Sequence, residues 1–135
     1  MSAMLVNNNL TVINAVNGVI NLLGKQGTTW GPLLISVKLN GAPVNLTGYL
    51  VRGQMRKKVS ALNPEPGLTF ALADAANGVV SMSMSAENTA KLACGDSAKD
   101  AASSYVWDME IYKDNPNEVS RFFRGTIRVE AEVTR

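Results

Sequence analysis

The side chains of this sequence that could do chemistry are few. Asp108 and Glu110 stand two residues apart, a spacing that sets two carboxylates on one face of a β-strand. Such a pair could work as general acid and base. Arg124 and Arg128 lie on the next alternating segment and are placed to neutralise them from a facing strand. A surface ion pair, worth about 0–1 kcal/mol, is the simpler reading. Cys94 is the single cysteine, so neither an internal disulfide nor a multi-cysteine metal site can form. The chain has no histidine, so no imidazole can activate that thiol as a nucleophile, and the commonest metal ligand is missing. Cys94 is expected to be a small, wholly or partly buried side chain. Nothing arranges a base, a nucleophile and a stabiliser together. The expectation is a protein that is not an enzyme and that uses no cofactor and no metal.

Binding chemistry is also sparse. Arg56-Lys57-Lys58 is the densest basic run. It could touch phosphate or an acidic partner, or be a solvated strand end. No aromatic residue interleaves with it, as single-stranded nucleic acid would require, and a formal net charge of +2 argues against a dedicated nucleic-acid binder. Trp30 and Trp107 could form a sugar platform, but each sits in an apolar alternation that suits a core. Gly24-Lys25-Gln26-Gly27-Thr28-Thr29 has a lysine and threonines near glycines. It lacks the spacing of a phosphate-binding loop, and no helix follows it.

The elements that must position these residues read as strands. Leu33, Ile35, Val37 and Leu39 alternate with Ser36 and Lys38, while Val80, Met82 and Met84 alternate with Ser81, Ser83 and Ser85. Tyr105, Trp107, Met109 and Ile111 share one face of a strand, with Asp108 and Glu110 on the other. A turn over residues 114–117 leads to Phe123, Gly125, Ile127 and Val129, which alternate with Arg124, Arg128 and Glu130. Period two over such lengths means strands with one wet face. Asn17-Gly18, Asn40-Gly41 and Asn77-Gly78 are hairpin signals, because Asn-Gly accepts the positive φ of a type I′ turn. Only Ser85 to Leu92 reads helical, as one or two turns with a serine cap. Residues 60–67 and 95–104 are expected to be loops. In NLTGYLVRGQMR, residues 45–56, Leu46 and Tyr49 would anchor a corner that Gly48 turns. The strand after it would bury Val51 and Met55 and display Arg52, Gln54 and Arg56. A chain of 135 residues fits one domain. The expected fold is all-β: an antiparallel β-sandwich of about seven strands with one short helical turn. An open barrel is the second choice.

No apolar run approaches the length of a membrane helix, and MSAMLVNNNLTV lacks the pattern of a signal peptide. Synthesis in a cytoplasm without export by that route is expected. Residues 1–18 form an N-terminal arm or an extra hairpin, with the main domain over 19–135. Residues 1–18 carry no charge yet include Met4, Leu5, Val6, Val12 and Ile13, and an unprotected segment of that kind invites association. Those five residues, with Arg52, Arg56, Lys57 and Lys58, are the candidate partner contacts. A first hairpin packed on its own domain is the alternative for the arm.

Taken in order, several motifs bear on family. They are Lys25-Gln26-Gly27-Thr28-Thr29-Trp30, then Asn40-Gly41-Ala42-Pro43-Val44-Asn45-Leu46-Thr47-Gly48-Tyr49, then Met84-Ser85-Ala86-Glu87-Asn88-Thr89-Ala90, Tyr105-Val106-Trp107-Asp108-Met109-Glu110 and Arg124-Gly125-Thr126-Ile127-Arg128-Val129. Over residues 19 to 135 this series resembles the immunoglobulin-like domain of tailed-phage baseplate and tail proteins, including the N-terminal domain of baseplate upper proteins. The stretch over residues 94–104 is longer than that family's connection, and residues 1–18 have no counterpart in it. Baseplate upper proteins usually continue beyond this domain, so a single module is expected here. The resemblance implies an immunoglobulin-like sandwich that serves as a structural virion protein made in the host cytoplasm. Its partners would be other tail, baseplate, fibre or capsid proteins and further copies of itself, with no nucleic acid and no membrane. A capsid decoration (cement) protein and a carbohydrate-binding module for host attachment are the alternatives.

Overall fold

The computed structural model describes residues 2–5, 9–61, 63–92, 103–113 and 119–131. Within them the alternating segments become strands of two packed sheets. The first sheet has the order β1 (Ser2–Leu5), β4 (Trp30–Ser36), β9 (Val79–Met84), β8 (Thr69–Asp74). The second has the order β2 (Leu10–Val16), β3 (Val19–Lys25), β11 (Val119–Glu130), β10 (Ser103–Tyr112), β7 (Leu50–Arg56). A small pair, β5 (Lys38–Leu39) and β6 (Ala42–Pro43), stands apart. In the lettering of immunoglobulin constant domains the first sheet is A-B-E-D, and β7-β10-β11 is C-F-G. The protein is an immunoglobulin-like β-sandwich, with β3 and β2 added beyond strand G. Among the described neighbours only β3 and β11 run parallel.

The core follows from the alternation. Trp30, Leu33, Ile35, Val80, Met82 and Met84 point inward from the first sheet, and Ile20, Leu22, Met55, Tyr105, Trp107, Met109, Ile111 and Ile127 from the second. Both tryptophans are enclosed: Trp30 donates to the Lys25 carbonyl at 2.9 Å and Trp107 to the Ile20 carbonyl at 3.0 Å. The Trp107 ring stacks on Phe70 with centroids 6.1 Å apart. Two glycines make this packing possible. A Cβ at Gly53 would strike the Phe70 ring and the Asp108 carbonyl, and one at Gly125 would strike the Ile20 carbonyl.

The corner after Asn45 forms as expected. Leu46 is buried, Tyr49 packs against the core, and Gly48 turns the chain at φ +86°. Asn17-Gly18 and Asn40-Gly41 each have two positive φ values, as type I′ turns need. Asn77 differs. It closes a 3-10 turn, Ala75–Asn77, and only Gly78 is left-handed, so β8 and β9 are joined by a longer connection. Leu39 also differs from expectation: β4 ends at Ser36, and Leu39 is exposed on the β5–β6 hairpin. The helical turn is Ala86–Thr89, with the Ser85 side chain accepting from the Asn88 amide.

Of the N-terminal arm or extra hairpin expected over residues 1–18, residues 2–5 form a strand paired antiparallel with β4. Residues 10–18 form β2 and the turn into β3, and Leu10 is fully buried. Hydrogen bonds to β3 and β4 hold both segments, so chain entropy that a free arm would keep has already been given up to intramolecular pairing. Val6, Cys94 and the turn over 114–117 lie outside the described residues, as does most of the expected loop over 95–104. At the end of that loop, Ser103 and Ser104 already belong to β10.

Candidate functional site: a groove on the outer face of the second sheet

Side chains that do not enter the core emerge on the outer face of β3, β11, β10 and β7, where register sets them in rows. Arg124 stands opposite Val19 on one side and Asp108 on the other, and Asp108 stands opposite Gln54. In the next row Thr126 faces Val106, and Val106 faces Arg56. Asn21 reaches in from β3, its Oδ1 accepting from the Thr126 amide at 3.1 Å and hydroxyl at 3.0 Å while its Nδ2 donates to Asn14 at 2.8 Å. The segment after Arg56 bends back beside this surface. Arg56 holds it there, donating from Nη1 to the Ala61 carbonyl at 2.8 Å and from Nη2 to Gln54 at 3.0 Å. The result is an open groove of about 450 Å³ between the sheet face and Val59.

The electrostatics of the groove are mixed. Arg56 and Arg124 bring two guanidiniums, and Asp108 brings one carboxylate. Partial burial raises the Asp108 pKa above the ordinary carboxylate value, and the neighbouring Glu110 charge raises it further. Arg56 and the Gln54 backbone act in the opposite direction. The expected facing of both carboxylates by Arg124 and Arg128 holds in register for Asp108 and fails for Glu110. Arg124 does stand opposite Asp108, but Glu110 stands opposite Phe122, and its ion pair is with Arg52 of β7 at 2.7 Å. Arg52 also lies 4.5 Å from the Tyr112 ring centroid. A second depression of about 390 Å³, lined by Arg52, Gln54, Asp108 and Glu110, continues along β7.

The candidate partner contacts are not brought together. Val12 packs against the core and Ile13 is exposed, both on β2 at one edge of the second sheet. Arg52 and Arg56 lie on β7 at the opposite edge, with Lys57 and Lys58 exposed just beyond. Met4 and Leu5 belong to β1 in the other sheet. Arg124, Thr126, Asn21 and Val106 were not among the candidates, although the groove is built around them. Alternation already placed Arg124 on the wet face. No signal in the sequence brings Asn21 beside Thr126, because that contact depends on the parallel pairing of β3 and β11. No group of three or more histidine, cysteine, aspartate or glutamate side chains able to hold a metal occurs among the described residues. No family model matches the chain, and no curated protein matches it.

Proposed function

We propose that this protein is a non-enzymatic structural component of a tailed-bacteriophage particle, joining tail, baseplate or fibre parts through protein–protein contacts and present in several copies. The observation that carries the reading is where the ordered motifs fall. Lys25 to Trp30 links β3 to β4, Asn40 to Tyr49 spans the β5–β6 turn and the corner before β7, and Met84 to Ala90 covers the end of β9 and the capped helical turn. Tyr105 to Glu110 is the centre of β10, and Arg124 to Val129 is the end of β11. A series of motifs that occupies the turns and strands of one immunoglobulin-like sandwich is what the resemblance to baseplate and tail domains requires. Partners would be other virion proteins, with the edges and outer faces of the sheets as contact surfaces. The edge strand β2 supports that mode, since Ile13 and Val16 are exposed on it and no charge blunts it.

A sugar-binding role through Trp30 or Trp107 has little to support it, since neither ring offers a face to solvent. Mass spectrometry of purified particles tests the proposal: the protein should be found in them, and its absence would end the virion reading. Immunogold labelling then separates tail from head, with signal confined to the head favouring a capsid decoration protein.

A further inference from the structure

We propose that the groove between β7, β10, β11 and β3 binds a carboxylate carried on an extended acidic segment of a neighbouring protein. This deepens the reading above by giving the protein–protein contact a place and a charge.

Arg56 is the fixed point of the groove. Two of its nitrogens are already engaged, to the Ala61 carbonyl and to Gln54, so the guanidinium is fixed before anything binds and little side-chain entropy is lost on contact. Arg124 stands across the same groove, exposed, and in no ion pair among the described residues. Two guanidiniums facing one opening favour a planar oxyanion. Val19, Val59 and Val106 line the remaining wall and suit an apolar side chain next to the acid. An alternating acidic and apolar strand provides both. Lys57 and Lys58, exposed just beyond Arg56, extend the positive field past the groove. Asp108 works against an anion and thereby locates it. Asp108 stands opposite Arg124, so the carboxylate is expected over the neighbouring row of Thr126, Val106 and Arg56. The groove is open rather than enclosed, so a free small carboxylate would gain too few contacts there, whereas a segment adds contacts along the rim.

The test titrates the isotope-labelled protein with a blocked short peptide of alternating valine and glutamate, followed by amide chemical shifts. A peptide with glutamine in place of glutamate is the control, and free glutamate is run separately. Shifts are expected at the amides of Arg56, Val106, Arg124 and Thr126, with binding that weakens as salt is added. Arg124→Ala should weaken binding by about tenfold, as expected for loss of a charge-assisted contact. Asp108→Asn should strengthen it severalfold, an effect that damage to the fold cannot mimic. Equal binding of the glutamine peptide, shifts elsewhere on the protein, or no binding at millimolar peptide would each overturn the proposal. Free glutamate binding as tightly as the peptide would overturn the segment and leave only a small-anion site. Particle composition plays no part in this experiment, so its outcome is separate from that of the virion test.

Discussion

The two outer faces of the sandwich are made by the same alternation and yet differ completely in character. On the first sheet the outward positions are Pro32, Leu34 and Ser36 of β4, Ser81 and Ser83 of β9, and Thr69 and Ala71 of β8. The second sheet shows Arg52, Gln54 and Arg56 of β7, Asp108 and Glu110 of β10, and Arg124, Thr126 and Arg128 of β11. Inward positions on both sheets are uniformly apolar. Folding demands only that inner pattern, so the outer residues are free to serve other ends. Small neutral side chains leave a smooth surface without strong attraction to anything charged. The arginine-rich face, by contrast, carries charges of the kind that steer association and discriminate between partners.

The largest expected effect strikes what both faces share. Gly125→Val should push β3 off β11, because the new side chain would occupy the position of the Ile20 carbonyl. A loss of about 4 kcal/mol or more is expected in urea denaturation, most of the margin of a domain at the low end of ordinary stability. Met82→Ala, in the core behind the neutral face, should cost about 2–5 kcal/mol by the same measurement, with peptide binding at the groove unaltered in the fraction that stays folded.

Asp108 gives a smaller effect with a sign that can be checked. Its pKa in the folded protein is raised, so the folded state binds its proton more tightly than the unfolded chain does. Stability from this group is therefore present below the unfolded carboxylate value and is lost as pH rises through the folded one. Asp108→Asn should be more stable than the parent at neutral pH, with the difference closing as the solution is acidified below the ordinary carboxylate range. Thermal melts across that range would show it. A variant that is less stable at neutral pH would mean that Asp108 is held by a favourable contact and that its burial is not the dominant influence.

Smaller still is Arg52→Ala, which removes an exposed ion pair with Glu110 and the contact with Tyr112. A loss below about 1 kcal/mol is expected. The smallest effect should come from placing a charge on the neutral face. Ala71→Lys is expected to change stability by no more than about 0.5 kcal/mol and to leave acidic-peptide affinity unchanged. If that lysine raised the affinity as much as Arg124→Ala lowers it, net charge alone would explain binding and the contrast between the faces would carry no specificity.

The inner pattern was legible because it is local. Two-residue alternation from Tyr105 to Ile111 and from Phe123 to Val129 fixes which side chains are dry, and the nearby turn fixes that these strands pair. Asn17-Gly18 was legible for the same reason. The outer face could be read only as a list of wet residues. Its chemistry depends on neighbours far apart in the chain: Arg52 meets Glu110 across 58 residues, and Asn21 meets Thr126 across 105. Strand order sets those distances, and periodicity carries no information about strand order. The bend that ties Arg56 to Ala61 was hidden differently. A side chain bonding to a backbone carbonyl leaves no pattern in residue type, and Arg56-Lys57-Lys58 therefore read as nothing more than a basic run.

The hydrogen bond from Trp107 to the Ile20 carbonyl has a consequence for how the protein is made. β3 leaves the ribosome well before β10 and β11, which carry its partners. Long-range parallel pairing forms late, since the intervening chain must be gathered before any contact rewards it. β2 and β3 must therefore wait, with β3 unpaired on one side, until β11 has been made. During that interval they are the part of the nascent chain most exposed to chaperones and to wrong partners. Slowing translation before Val119 is expected to lower the soluble yield, whereas the same pause placed before Val19 should leave it unchanged.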